Sequence, residues 1–418
     1  MTSSSGIIDD KHAVVPTRET KLAALPGGRH ALASLVTPLT VEEFIAEVYG
    51  NVFRHFSGEP SRFAELLSWE HVNELVRRQQ IPSDRFDLSK DGRVLSYYGY
   101  SRQVSHPRGS VRRLDAAALT SLLRDGATLV LNAVDQEVPT VRQLRLAIER
   151  DLGEYSAVNA YASWGTTHGF DVHWDDHDTF ILQVDGRKRW RIFGPTRRWP
   201  LPDDIVESPP PTVEPLADLL LNAGEALYVP RGWWHDVNSI GEPSLHLTVA
   251  LIRPSGADML RWAVDQARSS EAVRRDVPRI ASTEDRAKYL ADLRQSLIAA
   301  ISDDLICRYL QYRDDEMPPD PLPSLPTVDF SVHRSRSDNA LVQCLAARAT
   351  MTKTRDGTTI HAYGRDWQVG DEYTEALNEL IIGNSVSYRR LVDKDGHTPQ
   401  AVTELFAAGV LGFAEQAQ

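Results

Sequence analysis

VNAYASWGTTHGFDVHWDDHDTFILQVDGRKRWRIF, residues Val158 to Phe193, holds a His-Trp-Asp triplet, an apolar run, an Asp185-Gly186 turn and a second strand-like run from Arg187 to Phe193. The expectation is a metal half-site feeding a β-hairpin. In an extended strand successive side chains point to opposite faces, so His173 and Asp175 emerge on one side and Trp174 on the other. Two ligands from one strand need a third from elsewhere.

Gly224 to Val237, GEALYVPRGWWHDV, offers the third. Leu227 to Val229 reads as a short buried strand, Pro230-Arg231-Gly232 as a tight turn, and Trp233 to Val237 as the returning strand that carries His235. Two neutral imidazoles and one carboxylate on one side of a metal leave its opposite side open, the arrangement of non-haem Fe(II) oxygenases. Zinc would bind the same groups.

Alternation along Arg187–Ile192 puts Arg187, Arg189 and Arg191 on one face and Lys188, Trp190 and Ile192 on the other. The arginine face belongs to water. A lysine among core-facing residues is costly unless an anion meets its ammonium, so Lys188 calls for a carboxylate in the interior. A dicarboxylate cosubstrate would supply it.

This set resembles the JmjC/cupin-like family of Fe(II)- and 2-oxoglutarate-dependent oxygenases, in particular the ribosomal oxygenases. The resemblance rests on Asn159-Ala-Tyr161, on His173 with Asp175, on the Gln183-to-Trp190 segment, on Tyr228-Val-Pro230 through His235, and on Ser244-Leu-His-Leu-Thr248, in the family's order over the central third of the chain. It implies a double-stranded β-helix (jelly-roll) core in an α+β chain, with iron held by His173, Asp175 and His235. Lys188 would pair with the distal carboxylate of 2-oxoglutarate, Asn159 and Ser244 would help hold that cosubstrate, and Tyr161 would lie on the substrate side. His177 stands where relatives can carry an aromatic residue, and its role is open.

The rest of the chain bounds the function. At 418 residues it can form two or three domains. A hydrophobic fraction of 42% and a charged fraction of 25% are those of a globular protein. The net charge of −12 argues against broad nucleic-acid binding and favours a basic protein partner, so no direct nucleic-acid contact is expected. Two distant cysteines, Cys307 and Cys344, make a disulfide framework unexpected and suit a reducing compartment. Without a membrane-length apolar run or a secretion signal, a cytoplasmic location is expected.

In order, residues 1–37 read as irregular and 38–253 as the catalytic domain. Helices are expected after Thr40 and Ser68, over Asp115–Leu123 and over Val141–Leu152, and strands over Val94–Tyr100 and Ala127–Asn132. Pro200 to Pro215 is too proline-rich for an interior strand and reads as a loop. Residues 254–316 are helical, with Leu290, Leu293, Leu297, Ile301 and Leu305 forming a stripe; in the family such a segment makes a homodimer, and packing against its own barrel is the competing reading. Residues 317–326 are a proline-rich linker. Residues 327–418, with a helix over Tyr373–Ile382, a second opened by Thr398-Pro399 and stopped by Gly409, and a closing strand over Val410–Phe413, resemble a winged-helix domain. Nine Lys/Arg against twelve Asp/Glu over residues 325–418 disfavour a phosphate-binding face there.

Bland readings apply to the remaining candidates. His168, His177 and His246 read as pocket-wall or core residues, Asp176 and Asp178 as turn or solvent carboxylates, and the tryptophans as mostly core. The leading expectation is hydroxylation of an arginyl or histidyl side chain in a basic, ribosomal protein. Oxygenation of a small molecule or short peptide, demethylation, and a non-catalytic cupin-like binding module are the alternatives.

Overall fold

The computed structural model describes residues 31–78, 85–107, 109–166, 169–206, 209–320, 340–354 and 357–414. Helix α1 (Ala31–Val36) shows that the irregular opening expected through Thr37 ends in a helix, because Leu32, Leu35 and Val36 repeat at helical spacing and are buried. Helix α2 (Val41–Glu43) starts from the Thr40 capping box and continues as a π-helical turn, Phe44–Val48. Helix α3 (Trp69–Arg77) starts from Ser68, with His71 closing the box in place of an acid. Asp115 caps α4 (Ala116–Arg124), and α5 (Pro139–Leu152) opens on proline and stops at Gly153.

The strands are β1 (Arg54–Phe56), β2 (Phe86–Lys90), β3 (Arg93–Val94), β4 (Ser101–His106), β5 (Gly109–Leu114), β6 (Thr128–Leu131), β7 (Tyr155–Ser163), β8 (Asp178–Asp185), β9 (Arg187–Pro195), β10 (Ala217–Asn222), β11 (Ala226–Val229), β12 (Trp233–Ser239) and β13 (Ser244–Ile252). The strand expected over Val94–Tyr100 stops at Val94. Tyr97–Gly99 instead form a helical turn, in which the Tyr97 and Tyr100 rings meet edge-on at 5.4 Å.

Eight strands form one sheet in the order β1-β11-β8-β13-β7-β6-β2-β3, and three form another in the order β10-β9-β12. The fold is α+β, and the described residues close no hydrogen-bonded barrel. The large sheet is apolar on both faces. Phe180, Leu182, Tyr228, Leu247 and Val249 pack outward with the helical layer, while Ile181, Leu227 and Val229 pack inward with Trp190, Ile192 and Leu221 of the small sheet. This two-sided burial explains why β8 reads as a nearly unbroken apolar run.

The Asp185-Gly186 turn corrects the hairpin expectation. Both edges of β8 are already hydrogen-bonded, to β11 and to β13, whereas β9 pairs with β10 and β12. The turn therefore hands the chain from one sheet to the other. Gly186 makes this crossing at φ +64°, where an added Cβ would fall 2.0 Å from the Pro243 carbonyl oxygen. The Pro230-Arg231-Gly232 turn crosses in the same way, so β12 returns to the small sheet rather than to its predecessor β11.

After β13 come α6 (Gly256–Gln266), α7 (Glu271–Arg274), α8 (Thr283–Ala300) and α9 (Leu305–Asp315). The expected stripe is not continuous. Ser282 caps α8, and Ile301 leaves the helical region at ψ 67°, so Leu305 opens a new helix. No residue of α8 is buried. Of the proline-rich linker, residues 321–326 lie outside the described residues.

The chain ends with β14 (Leu341–Cys344), β15 (Thr350–Thr354), β16 (Gly357–Ala362), β17 (Arg365–Val369), α10 (Thr374–Ile381), β18 (Val386–Ser387), α11 (Gln400–Ala407) and β19 (Leu411–Phe413). Two three-stranded sheets and the two helices enclose their own core around Leu377, Leu380, Val402 and Leu405. Cys307 is exposed and Cys344 buried, both as thiols. No helix among the described residues is long and apolar enough to cross a membrane.

Candidate metal centre

His173 and Asp175 do not lie within a regular strand, as their alternation suggested; β8 begins only at Asp178. Three backbone bonds place them instead. The His173 amide donates to the His235 carbonyl at 3.1 Å, the His235 amide to the His173 carbonyl at 2.8 Å, and the Gly232 amide to the Asp175 carbonyl at 2.9 Å. The loop before β8 is thus stitched onto the start of β12. One candidate ligand atom from each of His173, Asp175 and His235 lies within 4.8 Å of the other two. Nε2 of His173 stands 3.9 Å from Asp175 Oδ1, and Nε2 of His235 stands 3.8 Å from Asp175 Oδ2.

The tautomers suit ligation. Nδ1 of His173 meets the Asp171 carbonyl at 2.7 Å and Nδ1 of His235 meets the Trp233 carbonyl at 3.1 Å. A carbonyl can only accept, so each Nδ1 carries the proton and each Nε2 presents a lone pair. Burial first, and then His173, push His235 down to about 4, so its ring is neutral at physiological pH. Burial works to raise the Asp175 carboxyl, but the imidazoles of His235, His173 and His177 outweigh it and hold the group below its ordinary value. Two imidazoles and one carboxylate so arranged are a 2-His-1-carboxylate donor set for a metal.

Lys188 enters the same interior from β9. It is 4% exposed and makes no ion pair among the described residues, and burial alone pushes its pKa down to about 7. The expected inward turn of Lys188, Trp190 and Ile192 is present, and the arginine row faces outward. Each guanidinium of that row has an acid: Glu242 for Arg187 at 2.9 Å, Asp218 for Arg189 at 2.5 Å, and the buried Asp236 for Arg191.

Beside Lys188 stands His246 on β13, 2% exposed, with Nδ1 lacking a hydrogen-bond partner among the described residues. Its ring stacks on Tyr161 at 4.9 Å and 3° and meets Trp190 edge-on. Burial, then the Lys188 charge, push this imidazole well below its ordinary value. It is a neutral wall. Tyr161 keeps some exposure, while burial of its hydroxyl and then the Asp175 charge push it up to about 12. Asn159 bonds the Tyr161 hydroxyl and accepts the Ala133 amide at 2.9 Å. Ser244 is fully buried, its hydroxyl accepting from Gln183 Nε2 at 2.9 Å.

Gln183 is an interior residue to which sequence reasoning gave no role at the site, while His246, read there as a pocket-wall or core residue, is part of the wall. The signal for both is strand alternation: each stands two residues from an inward neighbour, Ile181 and Ser244 respectively.

Asp178 corrects the expectation of a solvent carboxylate. It is 2% exposed and accepts from the Tyr228 hydroxyl at 2.6 Å, the Arg231 amide at 2.8 Å and the Arg253 guanidinium at 3.1 Å. Those partners are distant in sequence, which is why local reading missed them. His177 binds Asp176 at 2.8 Å through Nδ1 and stands outside the triad. Trp174, Trp190 and Trp234 are core residues. His168 lies outside the described residues. A second close group, Asp393, Asp395 and His397, is exposed and closes a turn, since Asp393 accepts the amides of the other two.

The geometry can be set beside known proteins. Residues 136–259 match the family model described as a JmjC domain. Among curated proteins, the chain is 28% identical over 225 residues to the bifunctional lysine-specific demethylase and histidyl-hydroxylase NO66 of Drosophila persimilis, covering 53% of this chain and 32% of that one. It is 29% identical over 247 residues to ribosomal oxygenase 1 of Gallus gallus, covering 56% of this chain and 39% of that one. The chain therefore spans well under half the length of these relatives. In fold it is similar to Escherichia coli YcfD, with a TM-score of 0.58 at 16% identity over 90% of this chain and 98% of that one. A structure of YcfD, a ribosomal oxygenase, with cobalt and 2-oxoglutarate aligns with a TM-score of 0.56, again at 16% identity and over 90% of this chain and 99% of that one.

Proposed function

We propose that the chain is a JmjC-type, Fe(II)- and 2-oxoglutarate-dependent dioxygenase that hydroxylates an arginyl or histidyl side chain of a basic, ribosomal protein. The observation that carries this reading is the pairing of the triad with Lys188, a buried ammonium that has no acid of its own.

The donors fit iron. His173 and His235 offer Nε2 with Nδ1 already engaged, and Asp175 supplies the negative charge. Iron with 2-oxoglutarate, when bound, supplies the oxidising power that turns a substrate C–H into C–OH, with O2 as oxidant and succinate and CO2 as co-products. Lys188 would meet the far carboxylate of the cosubstrate, and that salt bridge would restore the charged form which burial disfavours. Trp190 and the stacked Tyr161–His246 pair keep water from that end of the cavity. Asn159 orients the Tyr161 hydroxyl at the substrate side, and Gln183 fixes Ser244.

We read the two sheets as the halves of a double-stranded β-helix, and residues 327–418 as a winged-helix-like module. Arg348 of that module pairs with Asp314 at 2.5 Å and His361 with Asp315 at 2.8 Å, both acids on α9. The helical segment 254–316 is read as a homodimer contact, supported by the exposure of Ile280 (98%), Ile298 (72%) and Ile306 (60%). Thiols at both cysteines support a cytoplasmic location.

The test is succinate release from 2-oxoglutarate by iron-loaded protein incubated with ribosomal proteins, followed by mass spectrometry for a product heavier by one oxygen atom. Release no greater than from His173→Ala would reject the enzyme. A product found only among metabolites would reject the ribosomal substrate.

A further inference from the structure

We propose that the β4–β5 ribbon, with the exposed β3 edge and Tyr98, is a docking surface for a single-stranded nucleic acid. The inference does not rest on the oxygenase reading. It runs against the expectation drawn from net charge, which averages over the whole chain.

Charge is not spread evenly. Residues 85–114 contain seven Lys/Arg and two Asp/Glu, in a chain whose net charge is −12. At physiological ionic strength a charge is felt over only about 8 Å, so a phosphate at this surface responds to the local excess and not to the distant acids.

The ribbon pays for this excess in its own pairing. Arg102 lies directly opposite Arg113 in the antiparallel register, where like charges destabilise the pair. Lys90, Arg93, Arg102, Arg112 and Arg113 make no ion pair among the described residues, and Nε of Arg112 and of Arg113 lack hydrogen-bond partners. The contrast with β9 is direct, since each of its three outward arginines has an acid within reach. Cations left without acids on a two-stranded ribbon are free to meet an external polyanion.

An aromatic face accompanies the charge. Tyr98 is 74% exposed, and the Arg112 guanidinium lies 4.3 Å from its ring centroid. An exposed ring beside backbone-binding cations is the combination that holds unpaired bases by stacking and phosphates by charge. An acidic protein would use the cations and leave the ring without a role.

One end of the surface, at the β2–β3 turn, touches the loop that leads to the metal centre. The β2–β3 turn packs on the loop leading to His173: an added Cβ at Gly92 would fall 2.2 Å from Asp171 Oδ2, and the Ser89 hydroxyl donates to the Gly169 carbonyl at 2.5 Å. The Asp171 carbonyl is the one that fixes the His173 ring.

The experiment is fluorescence anisotropy of the full chain with a labelled, mixed-sequence RNA of about 20 nucleotides, titrated at several salt concentrations. Wild type should bind, with log Kd rising linearly with log salt, and Arg102→Glu with Arg113→Glu should weaken binding by about tenfold or more and flatten the slope. Tyr98→Ala should weaken binding by about fivefold while leaving the salt slope unchanged. Circular dichroism establishes that each variant is folded, and unchanged succinate release marks the centre as intact. No RNA binding by wild type would overturn the proposal, as would equal binding by the folded charge-reversal variant. Binding to poly-glutamate or to anionic phospholipid vesicles as tight as to RNA, and equally sensitive to the arginine changes, would overturn it as well.

Discussion

His173 and His235 exchange both backbone hydrogen bonds, at 3.1 and 2.8 Å, and their rings stand 4.3 Å apart between centroids. The two imidazoles are therefore positioned by the main chain before any metal arrives. A preset pair avoids ordering flexible side chains at the moment of binding, which is the usual penalty for a site built from separate segments.

Replacing His173 by alanine should remove iron retention while leaving the fold intact, because the side chain is 39% exposed and its backbone bonds to His235 persist. The expected stability change is within about 1 kcal/mol. Metal analysis after dialysis and a urea titration check the two halves. Wild-type iron content in the variant would remove His173 from the ligand set.

Lys188→Met should abolish tight 2-oxoglutarate binding yet keep iron. In the ligand-free protein it should also raise stability by about 1–3 kcal/mol, because an amine without a partner, whether charged or neutral, leaves the interior. Calorimetric titration and thermal melts separate these effects. Equal loss of iron and cosubstrate would make the residue architectural.

The same lysine predicts a pH dependence. Burial lowers its pKa to about 7, so above that pH the empty site holds neutral amine and must take up a proton to bind a dicarboxylate. Affinity should fall as pH rises from 7 towards 9. The stability contribution runs oppositely: between about 7 and the unfolded value the unfolded chain binds the extra proton, so ligand-free stability from this group rises with pH. Proton uptake at pH 8, read from calorimetry in two buffers of different ionisation enthalpy, checks the sign. No uptake would mean that the amine is already charged.

Asp178→Ala should destabilise the protein by about 3–5 kcal/mol, since it strands the Arg253 guanidinium and the Tyr228 hydroxyl together. Denaturant unfolding measures it. A change below about 1 kcal/mol would mean that water replaces the carboxylate at no cost.

Ile298→Glu should convert a dimer to a monomer in sedimentation, with circular dichroism unchanged, since Ile298 is 72% exposed on the segment proposed to pair two chains. A monomeric wild type at micromolar concentration would end the dimer reading.

What could be read from sequence followed from local chemistry. The caps at Thr40, Ser68 and Asp115 are short-range hydrogen bonds between near neighbours, and alternation around Lys188 needs only the pleat. Partner choice was not legible. Alternation tells which way Phe180 and Ile181 point, but not that β8 pairs with β11 and β13 while its neighbour β9 belongs to another sheet. The β4–β5 ribbon went unread because its arginines, serines and glutamine carry no apolar period. The stripe through Ile301 misled because spacing alone cannot reveal a break in φ and ψ.

Strand β8 has a bonded neighbour along each edge and packed side chains above and below. A change there is felt by four sets of contacts at once, so the floor of the cavity leaves little room for divergence. Variation is easier to accommodate in surface connections such as the one between β9 and β10, whose exposed residues can change in chemistry without disturbing either sheet.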